Sequence, residues 1–300
     1  MGTSGILNLN KPRGVTSFAM VSLVRRLIRE RRVGHAGTLD PLASGVLPIL
    51  LGQGTRMMEF LTAHPKKYRA TIRLGASTDT GDSDGTVVST GDCSAVTANQ
   101  LETALSTFRG TIQQTPPMYS ALKHNGEPLY RLARQGVSIP RAARTTHIWS
   151  LDLIDWQPPT ATVELDCSKG TYVRSLAMDL GDLLGCGAHL TSLIRLRSAF
   201  LTVEDAISPD EFETAVGLDC WRELLYSIDE AVLDLAAVIV GESTQKAIRT
   251  GTPLDPETVT PGGPGDWCRA YSVSGELISL LRFQPEAAVW HPDRVFPHGQ

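Results

Sequence analysis

Apolar positions along the chain repeat with two different periods, and the changes of period mark out the elements. GILNLNKP, from Gly5, reads as a short strand ended by a proline turn. Thr16-Ser17 then gives an N-cap signal. Phe18, Val21, Val24 and Ile28 follow at helical spacing, which predicts an amphipathic helix with those four side chains inward. Arg25, Arg26, Arg29 and Arg32 fall on its opposite face. Val46 to Leu51 is an almost uninterrupted apolar run, a candidate for a buried strand, although periodicity alone does not separate it from a turn of buried helix.

YRATIRL alternates strictly, with Tyr68, Ala70, Ile72 and Leu74 on one face and Arg69, Thr71 and Arg73 on the other. It predicts a half-buried strand whose polar face is basic. TANQLETALSTF opens with Thr97 and Gln100 at capping-box spacing, followed by a Leu101, Leu105, Phe108 stripe. Residues 113–145 are rich in Pro, Gly and polar side chains around one short helix, a long excursion of the kind that is usually functional or disordered. IWSLDLIDW and ATVELDC read as two strands joined at Gln157-Pro158-Pro159. TYVRSLAMDLGDLL reads as a helix with Val173, Leu176, Leu180 and Leu183 inward. Ser208-Pro209 with Glu211 opens another helix. From about Ile228 the chain turns acidic and rich in turns (RTGTPL, TPGGPGDW), and Ser274-Gly275 between alternating runs predicts a hairpin. The division is therefore a large domain over 1–227 and a small β-rich one over 228–300.

Composition narrows the class. The 300 residues exceed one usual domain. Five cysteines, odd in number and without a C-x-x-C pair, argue against a disulfide framework or zinc ribbon and for a reducing compartment. The first residues lack the charged and apolar regions of a signal peptide, and no run approaches the length of a membrane helix, so a cytoplasmic protein is expected. The net charge of −4 conceals a segregation. Residues 1–75 hold twelve Lys/Arg against three Asp/Glu, 76–108 hold five acids and no base, 109–150 hold six bases and one acid, and 201–300 hold six bases and seventeen acids. A polyanion senses the potential within about 10 Å, so these regional balances matter more than the total and point to a nucleic acid as partner.

Several motifs fail on inspection. STDTGDSDG would place a calcium loop's final glutamate at Gly91, and as an aspartic-protease Asp-Thr-Gly it lacks flanking apolar residues, so a solvated acidic loop is the better account. His35 has no second ligand at metal spacing and reads as a turn histidine. Ser44 lacks a G-x-S-x-G context, and neither a Walker loop nor G-x-G-x-x-G is present. Asp40 remains, set between a glycine-rich turn and the apolar run, with Pro41 behind it. On spacing alone it suits a helix N-cap with proline at N1.

LNLNKPRGVTS, GHAGTLDPLASGVLPI, KKYRATIRLG, MYSALKHNGEPLYRLARQG and CSKGTYVRSLAMDLG, in this order and spacing, closely resemble the TruB-type tRNA pseudouridine-55 synthases from about Gly5 to Ala199. The resemblance implies an α+β fold, with a mixed, largely antiparallel sheet and flanking helices around a catalytic cleft, plus a small C-terminal β-rich PUA-like domain. It implies a cofactor-free, metal-free isomerase of the uridine in the tRNA T-loop, acting as a monomer on the T-arm stem-loop. The catalytic aspartate falls on Asp40, the base-stacking tyrosine on Tyr68, its hydroxyl near the C5 proton, and the aspartate's arginine partner on Arg174. An apolar pocket residue falls on Leu193, the first-motif lysine on Lys11, and the histidine that fills the gap left by the extruded base on His35. Tyr172 joins this substrate-contacting set. The chemistry suits the types: a flipped base needs an aromatic face, and a carboxylate walled by apolar residues needs a close guanidinium to stay charged, held by two hydrogen bonds. Arg25, Arg26 and Arg29 on the first helix, and Arg131, Arg134, Arg141 and Arg144 on the excursion, are expected to take phosphates from two sides. A tRNA-folding protein without catalysis is the competing expectation; it would not need an Asp/Arg pair.

Overall fold

The computed structural model describes residues 3–120, 122–259 and 266–297. Eight strands build the main sheet: β1 (Gly5–Lys11), β2 (Val33–His35), β3 (Ala43–Leu51), β4 (Lys66–Leu74), β5 (Gly110–Gln114), β6 (Arg144–Gln157), β7 (Thr160–Cys167) and β8 (Ala188–Ser198). Two short strands, β9 (Leu201–Thr202) and β10 (Leu225–Tyr226), complete it. The spatial order is β10-β1-β3-β8-β4-β7-β6-β5, with β2 beside β3 and β9 beside β8. Every pairing is antiparallel except β3 with β8. The fold is therefore α+β around a mixed, largely antiparallel sheet. Helices α1 (Ser17–Ile28), α2 (Met58–Ala63), α3 (Ala98–Ser106), α4 (Leu129–Arg134), α5 (Val173–Leu183) and α6 (Pro209–Gly217) flank it. Among the described residues no helix is long and apolar enough to cross a membrane.

The local signals act as their chemistry requires. Thr16 caps α1 by accepting from the Ala19 amide, and both Thr97 and Ser208 form full capping boxes, the second with proline at N1. The apolar run is strand β3, and its lack of alternation has a cause: both faces are buried. Leu47, Ile49 and Leu51 belong to the main core with Val21, Val24, Leu176 and Leu180. Val46 and Leu50 face the other way, against Ile228, Val232, Leu280 and Phe296.

Two stripes differ from their helical spacing. In α1, Met20 joins Val21 and Val24 in the core, Ile28 is half-buried and Phe18 points to solvent. In α5, Leu183 is exposed while Ala177 and the arginine Arg174 are buried. The C-terminal sheet runs β11 (Ala236–Val240), β12 (Trp267–Ser272), β13 (Leu277–Gln284) and β14 (Val289–Val295), with α7 (Glu242–Arg249) against it. A hairpin turn at Ser274-Gly275 joins β12 to β13. The turn expected in TPGGPGDW lies outside the described residues, apart from its last two. Arginine contacts fasten this sheet to the rest. Arg56 donates to the Val295 carbonyl, Arg294 pairs with Glu59, and the Phe60 and Trp267 rings meet edge to face at 5.2 Å.

Candidate active site

Asp40 does not start a helix. It opens a turn closed by the Ala43 amide donating to its carbonyl, 3.0 Å, and the chain then enters β3. Both flanking residues are fixed, one by the first residue of α1 and the other by the loop that precedes it. The buried Ser17 hydroxyl donates to the Leu39 carbonyl, 2.9 Å, and accepts from the Leu39 amide, 2.8 Å. The Gly14 amide donates to the Pro41 carbonyl, 2.7 Å. Lys11 holds this loop from below, its ammonium donating to the carbonyls of Pro12 and Val15. Lys11 is completely buried, which corrects its assignment to RNA contact: it braces the loop that positions Asp40. Burial pushes its pKa down to about 8, with the Asp40 charge opposing.

Arg174 comes from the first turn of α5, only 4% exposed, and reaches Asp40 Oδ2 at 2.8 Å. The expected two-point lock does not form, because the rest of the fork is occupied. Nη1 donates to the Thr80 carbonyl at 3.0 Å, Nη2 also to the Tyr119 carbonyl at 2.7 Å, and Nε lies 3.7 Å from Asp82. Asp40 is not walled off either: its side chain is 37% exposed at the mouth of the pocket, since the apolar run after it is spent inside the sheet. Asp82 corrects the reading of STDTGDSDG as wholly solvated. It is buried, accepts from the Thr80 hydroxyl and the Asp84 amide, and desolvation pushes its pKa up. Its partner lies 92 positions away, so no local spacing signals it.

Tyr68 stands on β4 directly opposite Arg195 of β8, and Leu193 two residues before faces the same cavity. Burial raises the phenol's pKa, partly offset by the Arg195 charge, so Tyr68 is a neutral phenol near neutrality. Arg195 is a site residue that sequence reasoning missed. Almost fully buried, it donates to the carbonyls of Val46 and Gly37 and so ties the loop before Asp40 to the sheet. Its strand passes so close that Gly45, at φ +98°, cannot carry a side chain: a Cβ there would lie 2.3 Å from the Arg195 carbonyl oxygen. Tyr172 precedes α5, its backbone clasped by the buried Gln114 amide at 2.9 and 3.1 Å.

Asp40, Tyr68, Tyr172, Arg174 and Leu193 line one cavity of about 310 Å³. An apolar cavity of roughly 150 Å³ accepts benzene, so there is room for a nucleobase. His35 is the last residue of β2, paired with Ile49, rather than a free turn residue. Burial and the Arg195 charge lower its pKa, and its Nδ1 has no hydrogen-bond partner among the described residues. Among the arginines, Arg26, Arg29, Arg131, Arg134 and Arg144 are exposed. Arg25 is half-buried, donating to the Val33 carbonyl, and Arg141 is also half-buried. No cluster of three or more metal-ligating side chains occurs among the described residues.

A strand-borne tyrosine and a helix-borne arginine thus stand around a turn aspartate at one cavity beside a mixed, largely antiparallel sheet, and comparisons with known proteins define the class. The model of the TruB family pseudouridylate synthase (N terminal domain) matches residues 25–173, and that of the tRNA pseudouridylate synthase B C-terminal domain matches 174–236. Proteins named tRNA pseudouridine synthase B are similar over most of their length. The one from Syntrophotalea carbinolica is 47% identical over 83% of this chain and 81% of its own. The one from Thiobacillus denitrificans is 46% identical over 97% and 95%. A chain of a crystallised Cbf5-Nop10-Gar1 complex superposes with a TM-score of 0.77 at 25% identity, covering 98% of this chain and 85% of that one. The chain belongs to the TruB family of pseudouridylate synthases.

Proposed function

We propose that this chain converts uridine 55 in the T-loop of tRNA to pseudouridine, with Asp40 as the catalytic carboxylate. The observation that carries the reading is the 2.8 Å Asp40–Arg174 pair at the mouth of a nucleobase-sized cavity that Tyr68 and Leu193 line. Extruding the base costs a few kcal/mol, and stacking on Tyr68 returns about 1–3 kcal/mol. Asp40 then faces the glycosidic centre. The N1–C1′ bond breaks, the uracil turns within the cavity, C5 bonds C1′, the C5 proton leaves and N1 gains a proton, so atoms balance without redox change. As a neutral phenol, Tyr68 serves as a stacking face and hydrogen-bonding group on the C5 side rather than as a phenolate base. Arg174 fixes the rotamer of Asp40 through their 2.8 Å ion pair.

In this reading residues 1–227 are the catalytic domain, 113–145 clamp the T-arm with Arg131, Arg134, Arg141 and Arg144, and Arg26 and Arg29 take phosphates from the other side. Residues 228–300 form the small PUA-like domain. The enzyme acts as a monomer in the cytoplasm without a cofactor; five free cysteines suit a reducing compartment. The test uses a T-arm hairpin tritiated at uracil C5. Tritium release by wild type, abolished by Asp40→Asn with RNA binding retained, is the expected result. Equal release by Asp40→Asn removes Asp40 from the chemistry, and binding without release by wild type leaves a tRNA-folding protein.

A further inference from the structure

Two of the five cysteines meet where three stretches of chain cross. A two-stranded ribbon, Ala76–Thr78 against Val87–Thr90, carries Thr80 and Asp82 to Arg174. Such a ribbon is marginal on its own, and its base is tied to the turn after α5. The Gly75 amide donates to the Gly187 carbonyl at 2.9 Å, and the Gly91 amide to the Gly75 carbonyl at 3.1 Å. The approach is close. A Cβ on Gly91 would lie 2.8 Å from Cys186 Cα, and one on Gly75 would lie 3.2 Å from Cys93 Sγ. The Gly75 amide also neighbours the Cys186 thiol, whose pKa is pushed up by burial and by the Cys93 thiol beside it. Both sulfurs therefore stand at Gly75. Cys93 is half-buried and open to small solutes, whereas Cys186 is only 2% exposed.

We propose that Cys93 and Cys186 are a reversible redox pair, oxidised by hydrogen peroxide to a disulfide that staples the Arg174-holding ribbon to the end of α5. The Cys93 thiolate attacks the peroxide, the O–O bond breaks, and Cys93 becomes a sulfenic acid while hydroxide leaves and takes up a proton as water. The Cys186 sulfur then attacks the Cys93 sulfur. The S–S bond forms, the S–O bond breaks, and the oxygen departs as a second water with the proton that Cys186 gives up. Two thiols lose two electrons and one peroxide gains them. In a reducing compartment the pair stays a dithiol until peroxide rises, as disulfides of such compartments do when they sense redox state. The bond closes a loop of about ninety residues and restricts the unfolded chain, which favours the folded state about thirty- to several-hundredfold. Backbone hydrogen bonds already hold these segments together, so the cross-link leaves the Asp40–Arg174 pair in place.

Each of the five cysteines falls in its own tryptic peptide, so a peptide map distinguishes every pairing. The full chain, as wild type and as Cys93→Ser, is reduced, treated with hydrogen peroxide, alkylated and digested. In wild type, peptides 74–109 and 175–195 should be joined and should separate with dithiothreitol; in Cys93→Ser they should never join. Urea unfolding of oxidised wild type should move to a higher midpoint than that of the reduced protein, by about thirtyfold or more in the folding equilibrium. Oxidation should leave the Cys93→Ser midpoint where it was. The wild-type comparison, reduced against oxidised, decides the matter even if the variant folds poorly. Oxidation of Cys93 to the sulfinic acid with no joined peptides overturns the staple, as does a different partner for either cysteine. A joined protein that unfolds at the same urea concentration as the reduced one overturns it too. Tritium release does not enter, so the outcome is independent of the isomerase reading.

Discussion

Ser17 does not line the cavity that holds Tyr68 and Leu193, yet the geometry gives it control over the chemistry. Its buried hydroxyl both donates to and accepts from Leu39, the residue before Asp40. Ser17→Ala removes two hydrogen bonds, each worth about 1 kcal/mol net, and leaves the Leu39 amide and carbonyl short of partners inside the protein. A loss of roughly 2–3 kcal/mol in folding stability is expected, measured by urea unfolding. Relieved of that clamp, the turn relaxes and Asp40 shifts relative to Arg174 and the base. A misplacement of about 1 Å can cost a hundredfold in rate. Single-turnover tritium release at saturating RNA should therefore fall ten- to hundredfold, with the Kd for RNA changed less than threefold. A kcat within threefold of wild type, measured where the variant is fully folded, would show that Asp40 is held by other means. A loss confined to Kd would equally refute the positioning role.

Three further outcomes are expected. Gly45→Ala places a Cβ against the Arg195 carbonyl at a positive φ and should destabilise by more than about 3 kcal/mol; a shift of the urea midpoint worth less than about 1 kcal/mol would contradict it. Lys11 binds its proton at about 8 in the folded protein against an ordinary 10.5, so the unfolded chain holds more protons between those values and stability rises with pH across that window. Relative to Lys11→Met, wild type should gain up to about 3 kcal/mol between pH 8 and 10.5, and a difference that stays flat with pH would exclude this. Arg26→Ala should weaken tRNA binding and reduce the slope of log affinity against log salt by about one; an unchanged slope takes α1 off the RNA path.

Local patterns carried the framework well. Caps, alternation in β4, the excursion and the small β-rich tail were all legible because each is set by neighbours in sequence. Four features were not. Phe18 and Leu183 keep helical spacing yet face outward, since spacing gives a direction but not what lies in that direction. Asp82 sits in a run of polar residues that looks solvated, and only the arrival of Arg174 from α5 buries it. The aspartate–arginine pair was found through the family resemblance rather than through spacing, and its single-point geometry depends on carbonyls at Thr80 and Tyr119 that no motif displays. Arg195 shows the same limit, a charged side chain placed inside the protein by backbone carbonyls from two other segments.

Strand β3 is covered on one side by helices of the first two hundred residues and on the other by Met57 and Leu61 together with Ile228, Leu280 and Phe296 from the last third of the chain. During synthesis Val46 and Leu50 therefore meet Met57 and Leu61 of α2 long before the rest of their cover is made. The tail thus seals the back of the sheet that carries Asp40, and a protein cut short near residue 227 would be sticky before it was inactive.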